Sequence, residues 1–126
     1  VSTEPRTVTV KVIVTKALEI DEPDWCIDPH DGANHRQDIT HNGPETYAEF
    51  DTPLGTIRYM RAWISHAPYG ELAPEPLPLI AVEIGGDAVS VDPAGLRAFT
   101  ATTRAHLDAL DQLADEAELI RNRSEA

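Results

Sequence analysis

Residues 24–44 limit most strongly how this chain can fold. Pro29, Gly32, Asn34, Asn42, Gly43 and Pro44 all fall inside that stretch. Proline removes a backbone donor, and glycine and asparagine favour turns, so neither a long helix nor a long strand can run through it. An irregular segment of this length needs something to order it. The same segment, Asp24-Trp25-Cys26-Ile27-Asp28-Pro29-His30 and on through His35 to Asp38-Ile39-Thr40-His41, holds the only cysteine of the chain and three of its five histidines.

Thiolate and imidazole are the usual zinc donors, and a C-x3-H-x4-H-x5-H spacing lets a turn-rich loop wrap them around one ion. The candidate metal ligands are Cys26, His30, His35 and His41. The set expected first is Cys26, His30 and His41, with His35 or Asp38 completing the tetrahedron. A bound ion would also order a loop that has little apolar content of its own. The paired C-x2-C knuckle of zinc ribbons is missing. The competing reading makes Cys26 a small buried apolar side chain beside Trp25 and the histidines ordinary loop residues.

Three ligands and an open water position would instead make a Lewis-acid centre, with Asp28, Asp31 or Asp38 as general base, and hence a zinc-dependent hydrolase. Four candidate ligands crowded into one loop favour a closed structural site. No phosphate-cradling glycine loop, nucleophile elbow or HExxH helix accompanies them. Enzymatic activity is therefore the second reading.

The rest of the chain alternates strand and turn signals before a helix. Val8, Val10, Val12 and Val14 share one face of residues 7–15, the pattern of a half-buried strand. Residues 46–50 and 56–64 read as two strands joined by Thr52-Pro53-Leu54-Gly55, although Ile57, Met60 and Ile64 also fit one helical face. After a connection carrying Pro68, Pro74, Pro76 and Pro78, residues 79–84 and 88–91 flank Gly85-Gly86, a two-residue hairpin signal.

Asp92 is suited to cap a helix that starts at Pro93 and is expected over 92–122. Its stripe runs Leu96, Phe99, Thr103, His106, Leu110, Leu113, Ala117 and Ile120, at alternating spacings of three and four. That stripe, widened by Leu107, is expected first to pack on the sheet, with pairing to a second copy as the second reading. His66, at a strand end, and His106, on the stripe, read as structural histidines. The sum is one α+β domain over 1–126: an antiparallel sheet of about five strands, one long C-terminal helix and an ordered Cys/His loop between the first two strands.

Charge narrows the partners. The chain carries 22 acidic and 10 basic residues, a formal net charge of −12. That field repels phosphate backbones, and the arginines do not cluster beyond Arg58 and Arg61, so nucleic acid is excluded as the expected partner. No apolar run reaches the length of a membrane span and no signal-peptide core opens the chain. One cysteine cannot form an internal disulfide, which fits a reducing cytoplasm. The expected partner is another protein, of unknown identity.

Pro23-Asp24-Trp25-Cys26, followed by His30 and by Asp38-Ile39-Thr40-His41-Asn42-Gly43-Pro44-Glu45, resembles an uncharacterised family of small actinobacterial proteins that are grouped only as a domain of unknown function. The likeness extends to Ser2-Thr3-Glu4-Pro5-Arg6-Thr7-Val8-Thr9 and to the Asp92-Pro93-Ala94 start of an alanine-rich helix. Carried over residue by residue, the family pattern falls on Trp25, Cys26, His30, Asp38 and His41, with His35 outside it. The bias toward arginine over lysine, eight to two, agrees with a GC-rich source. The resemblance implies no activity.

Overall fold

The computed structural model describes residues 4–32 and 35–125. The turn expected of Asn34 and the Ser2-Thr3 opening lie outside the described residues. Five antiparallel strands form one sheet: β1 (His41–Asn42), β2 (Thr46–Thr52), β3 (Gly55–His66), β4 (Leu79–Ile84) and β5 (Asp87–Val91). A single α-helix, α1 (Pro93–Glu125), follows, and a short 3-10 turn spans Arg36–Asp38.

The long strand β3 organises the sheet. β2 pairs with its first part and β1 with its end, His41 opposite His66 and Asn42 opposite Ser65. β4 lies on the other side of β3, with β5 beyond it. The aromatic and β-branched density of residues 56–64 thus wins over their helical spacing. Between Thr46↔Ala62 and Ala48↔Tyr59 the register slips, and Met60 takes a left-handed φ of 56° there, so the extra residue sits on β3 as a bulge. Ile84↔Asp87 closes the second hairpin around Gly85 and Gly86, whose φ of 63° and 94° suit the primed turn that matches strand twist.

Two expectations are corrected. Residues 7–15 form no strand: Val8, Val10, Val12 and Val14 are 71–85% exposed, and the fifth strand is His41–Asn42 inside the Cys/His segment. Alternation says which face a strand would bury if paired, but not whether any edge pairs with it. Among the described residues the outer edges of β1, β2 and β5 carry no further strand, and residues 7–15 take none of them.

The second correction concerns α1. It touches β4 and β5 only through its first turns, where Leu96, Phe99, Thr100 and Thr103 are half-buried, and every residue from Arg104 to Glu125 is exposed. At about 1.5 Å per residue a helix of 33 residues is about 50 Å long, far longer than a six-residue strand can cover. Its start is as expected: the Asp92 carboxylate accepts from the Gly95 amide at 2.7 Å. Space there is tight: a Cβ at Gly95 would come within 3.1 Å of that carboxylate and 3.2 Å of Val91 Cβ, so those neighbours would have to shift by a few tenths of an ångström.

Among the described residues the buried apolar side chains are Ala81 and Val82 of β4, of which Val82 is fully enclosed, and the buried polar one is His41 of β1. A histidine therefore sits where the sheet is most shielded from water.

Candidate metal centre

Residues 21–30 reach β1 through a chain of local bonds. The Cys26 amide donates to the Pro23 carbonyl (3.1 Å), closing a turn that turns the thiol back toward Glu22. The Ile27 amide donates to the Asn42 carbonyl (2.9 Å), and the Gly43 amide to the Ile64 carbonyl (2.8 Å), so this segment is sewn onto β1 and β1 onto β3. Trp25 lies against His41, ring centroids 6.3 Å apart and edge-on, and walls one side of the site.

Asp28 sets the next turn. Its Oδ1 accepts from the His30 amide (2.8 Å) while Oδ2 accepts from the Asn42 side-chain amide (2.8 Å). His30 consequently holds a left-handed φ of 59°, a conformation that costs a non-glycine residue about 1–3 kcal/mol. The reward is direction: its ring packs edge-on to that of His41, centroids 5.5 Å apart.

Glu22, Cys26, His30 and His41 thereby offer four donor atoms that all lie within 4.8 Å of one another. Cys26 Sγ is 3.7 Å from His30 Nε2, and His41 Nδ1 is 3.8 Å from Glu22 Oε1. Glu22 also bonds His30 Nε2 directly. Zinc–ligand bonds of about 2.0–2.3 Å give tetrahedron edges of about 3.3–3.8 Å, so a small contraction around an ion suffices. His41 is 4% exposed and its Nδ1 has no hydrogen-bond partner. A buried polar atom left in that state is costly unless something else binds it.

The protonation states suit the same purpose. Hydrogen bonds from Cys26 and His30 hold the Glu22 carboxyl below the usual carboxylate range, so it is anionic. Burial, and then the bond to Glu22, push the Cys26 thiol up, so without a cation it stays protonated at neutral pH. Burial, and then the neighbouring His30, push His41 down and favour its neutral ring. The unfolded chain binds a proton at His41 more readily than the folded chain, whose pKa lies below the ordinary histidine value. Stability from this residue is therefore present above that range and is lost as pH falls through it.

A divalent ion would reverse the thiol's preference alone. Zinc added to metal-free protein at pH 7.5 is expected to release at least the Cys26 proton per ion, whereas Glu22 is already ionised and His41 already neutral. Calorimetry in two buffers of different ionisation enthalpy measures this number. No release would mean that Cys26 does not bind as thiolate.

Of the residues expected from sequence, the structure gathers Cys26, His30 and His41. His35 stands apart. The amides of Asp38 and Ile39 donate to the carbonyls of His35 and Arg36, and this tight turn leaves the His35 ring 65% exposed with Asp38 4.0 Å away. Asp38 is outside the donor group as well. It lines an open cleft of about 210 Å³ beside His30, together with Asp28 and Asp31. Glu22 holds the fourth corner, a residue just ahead of the expected loop. Its signal was the spacing of four that places Glu22, Cys26 and His30 in series. His66 lies opposite His41 in the sheet, but its Nε2 bonds the Glu75 carbonyl (2.7 Å) and fastens the proline-rich connection. His106 is exposed on α1.

Among the described residues no helix is long and apolar enough to cross a membrane. The chain matches the Domain of unknown function (DUF6907) over residues 7–118 and belongs to that family. No curated protein and no solved structure shows a significant match.

Proposed function

We propose that Glu22, Cys26, His30 and His41 hold one zinc ion in a structural role, in a small cytoplasmic protein that acts through contacts with another protein. The observation that carries this reading is the buried, unpartnered Nδ1 of His41 facing three other donors. Thiolate with imidazole selects zinc over the harder cations. The two anionic ligands balance a divalent charge, so the filled site is neutral and tolerable beside a shielded strand. Nucleic acid is not the partner in this reading. Besides the charge of −12, Arg61 is paired with Glu45 (3.0 Å) and Glu83 (3.5 Å), while Arg58 covers the Tyr47 ring at 4.6 Å.

Elemental analysis of protein purified without chelator tests the proposal. About one zinc per chain is expected. Less than about a tenth of an equivalent, with no uptake on adding zinc, would refute it.

The cleft supports a second reading, in which Glu22 leaves the ion and a zinc-bound water faces Asp28, Asp31 or Asp38, as in a hydrolase. Cobalt substitution separates the two. A closed site gives a tetrahedral spectrum indifferent to small anions, whereas an open one shifts when azide binds.

A further inference from the structure

We infer that the projecting half of α1, from Thr103 to Ile120, is a self-association surface that a second copy of this chain covers with the same stripe. This rests on the helix and the total surface, independently of the metal.

Surface area is the first argument. A compact chain of 13.8 kDa is expected to expose about 6,600 Å². This one exposes 10954 Å². The excess of about 4,300 Å² is several times the roughly 800 Å² per partner that a stable interface needs. Residues 4–19, exposed and outside the sheet, account for part of that excess; another part is apolar surface on α1, where Leu107, Leu110, Leu113 and Ile120 are 45–60% exposed. The family match over residues 7–118 includes most of this stripe, so the unpartnered helix belongs to the domain itself.

The second argument is the spacing. Thr103, His106, Leu110, Leu113, Ala117 and Ile120 keep alternating steps of three and four, which makes a narrow coiled-coil seam rather than the broad face a sheet needs. A sheet-packed helix would not need that repeat to continue past its last contact with the sheet, and here it continues for more than two heptads.

Third, the stripe complements itself. Run antiparallel about a point between Asp111 and Gln112, Thr103 meets Ile120, His106 meets Ala117 and Leu110 meets Leu113. Every small residue then faces a large one, and a well-filled seam results. Charge allows the approach. At 3.6 residues per turn, Asp108, Asp111, Asp115 and Glu118 point away from the seam; Leu107, Ala109, Ala114 and Glu116 flank it, and in this register Glu116 stands opposite Leu107 rather than another carboxylate. Two chains of charge −12 can therefore meet along this line without opposing their carboxylates.

Sedimentation velocity and light scattering of the full chain, from low to high micromolar concentration, test the inference. The expected mass is twice 13.8 kDa. Leu110 and Leu113 lie beyond the part of α1 that touches the sheet, so the double variant Leu110→Asp, Leu113→Asp should be a folded monomer with the near-ultraviolet dichroism of Trp25 and Trp63 unchanged. His106→Leu adds apolar contact at the seam and should lower the dissociation constant at least several-fold. A dimer that survives the double aspartate change would overturn the assignment to this stripe. Monomer throughout, for both wild type and His106→Leu, would show that the stripe awaits a different protein and would overturn self-association.

Discussion

Cys26→Ser and His41→Ala are each expected to abolish tight zinc binding and to open residues 21–44 to protease, while β2 to β5 and α1 persist. The physical basis is the division of labour in the structure. Strand pairing in β2 to β5 does not pass through the four donors, whereas residues 21–30 are held by a few local bonds and by whatever His41 and Cys26 bind together. Zinc that binds only the folded loop stabilises it by about 2.7 kcal/mol once its free concentration exceeds the dissociation constant a hundredfold. Chelator should therefore lower the wild-type melting temperature to that of Cys26→Ser and leave the variant unmoved. Cys26→Ser is the cleaner substitution, since it hardly changes volume, while His41→Ala also empties a shielded position. If chelator shifted the variants as much as wild type, or if protease met residues 21–44 equally protected in all three, the loop would owe its order to something other than a metal.

Much of this architecture was legible in the chain, for identifiable reasons. Gly85-Gly86 and Asp92-Pro93 act through local backbone chemistry, which needs no partner, and the hairpin and helix start lie where those residues place them. Cys26, His30 and His41 converge as their clustering suggested, because turn-rich backbone returns on itself over short distances. The failures are non-local. Val8 to Val14 carry a strand pattern, but pattern specifies a face and not a partner, and in the described structure those residues pair with no strand. The helix stripe was read as sheet contact because a repeat cannot say which surface lies opposite. Glu22 was missed because a carboxylate in an acidic chain looks like solvated surface, and only the fold reveals that it meets a buried histidine. His35 was favoured by residue type, and a three-residue turn sets it outward.

Asn42→Asp should weaken zinc binding more than either Asn42→Ala or any surface change on α1, although Asn42 touches no metal. Its side chain joins two parts of the site: the amide nitrogen donates to Asp28 (2.8 Å), and the amide oxygen accepts from the Trp63 indole (3.0 Å). Through Asp28 it fixes the amide of His30, and with it the left-handed backbone that aims the ring. Loss of such a supporting group typically costs about 10–100-fold in metal affinity. Alanine removes the bond and leaves the indole and Asp28 to find water. Aspartate is worse, because the new carboxylate faces another carboxyl group that the His30 and Asn42 donors had held below its usual range. Two carboxylates at that separation cannot both stay ionised without moving apart, so one takes up a proton and its pKa rises. The ratio of Asn42→Asp to Asn42→Ala affinity should accordingly improve as pH is lowered from neutral, even as zinc binding weakens in both. Competition titrations with a chromophoric chelator at several pH values measure that ratio. Equal affinities for aspartate and alanine at every pH would mean that Asp28 does not position His30 through Asn42.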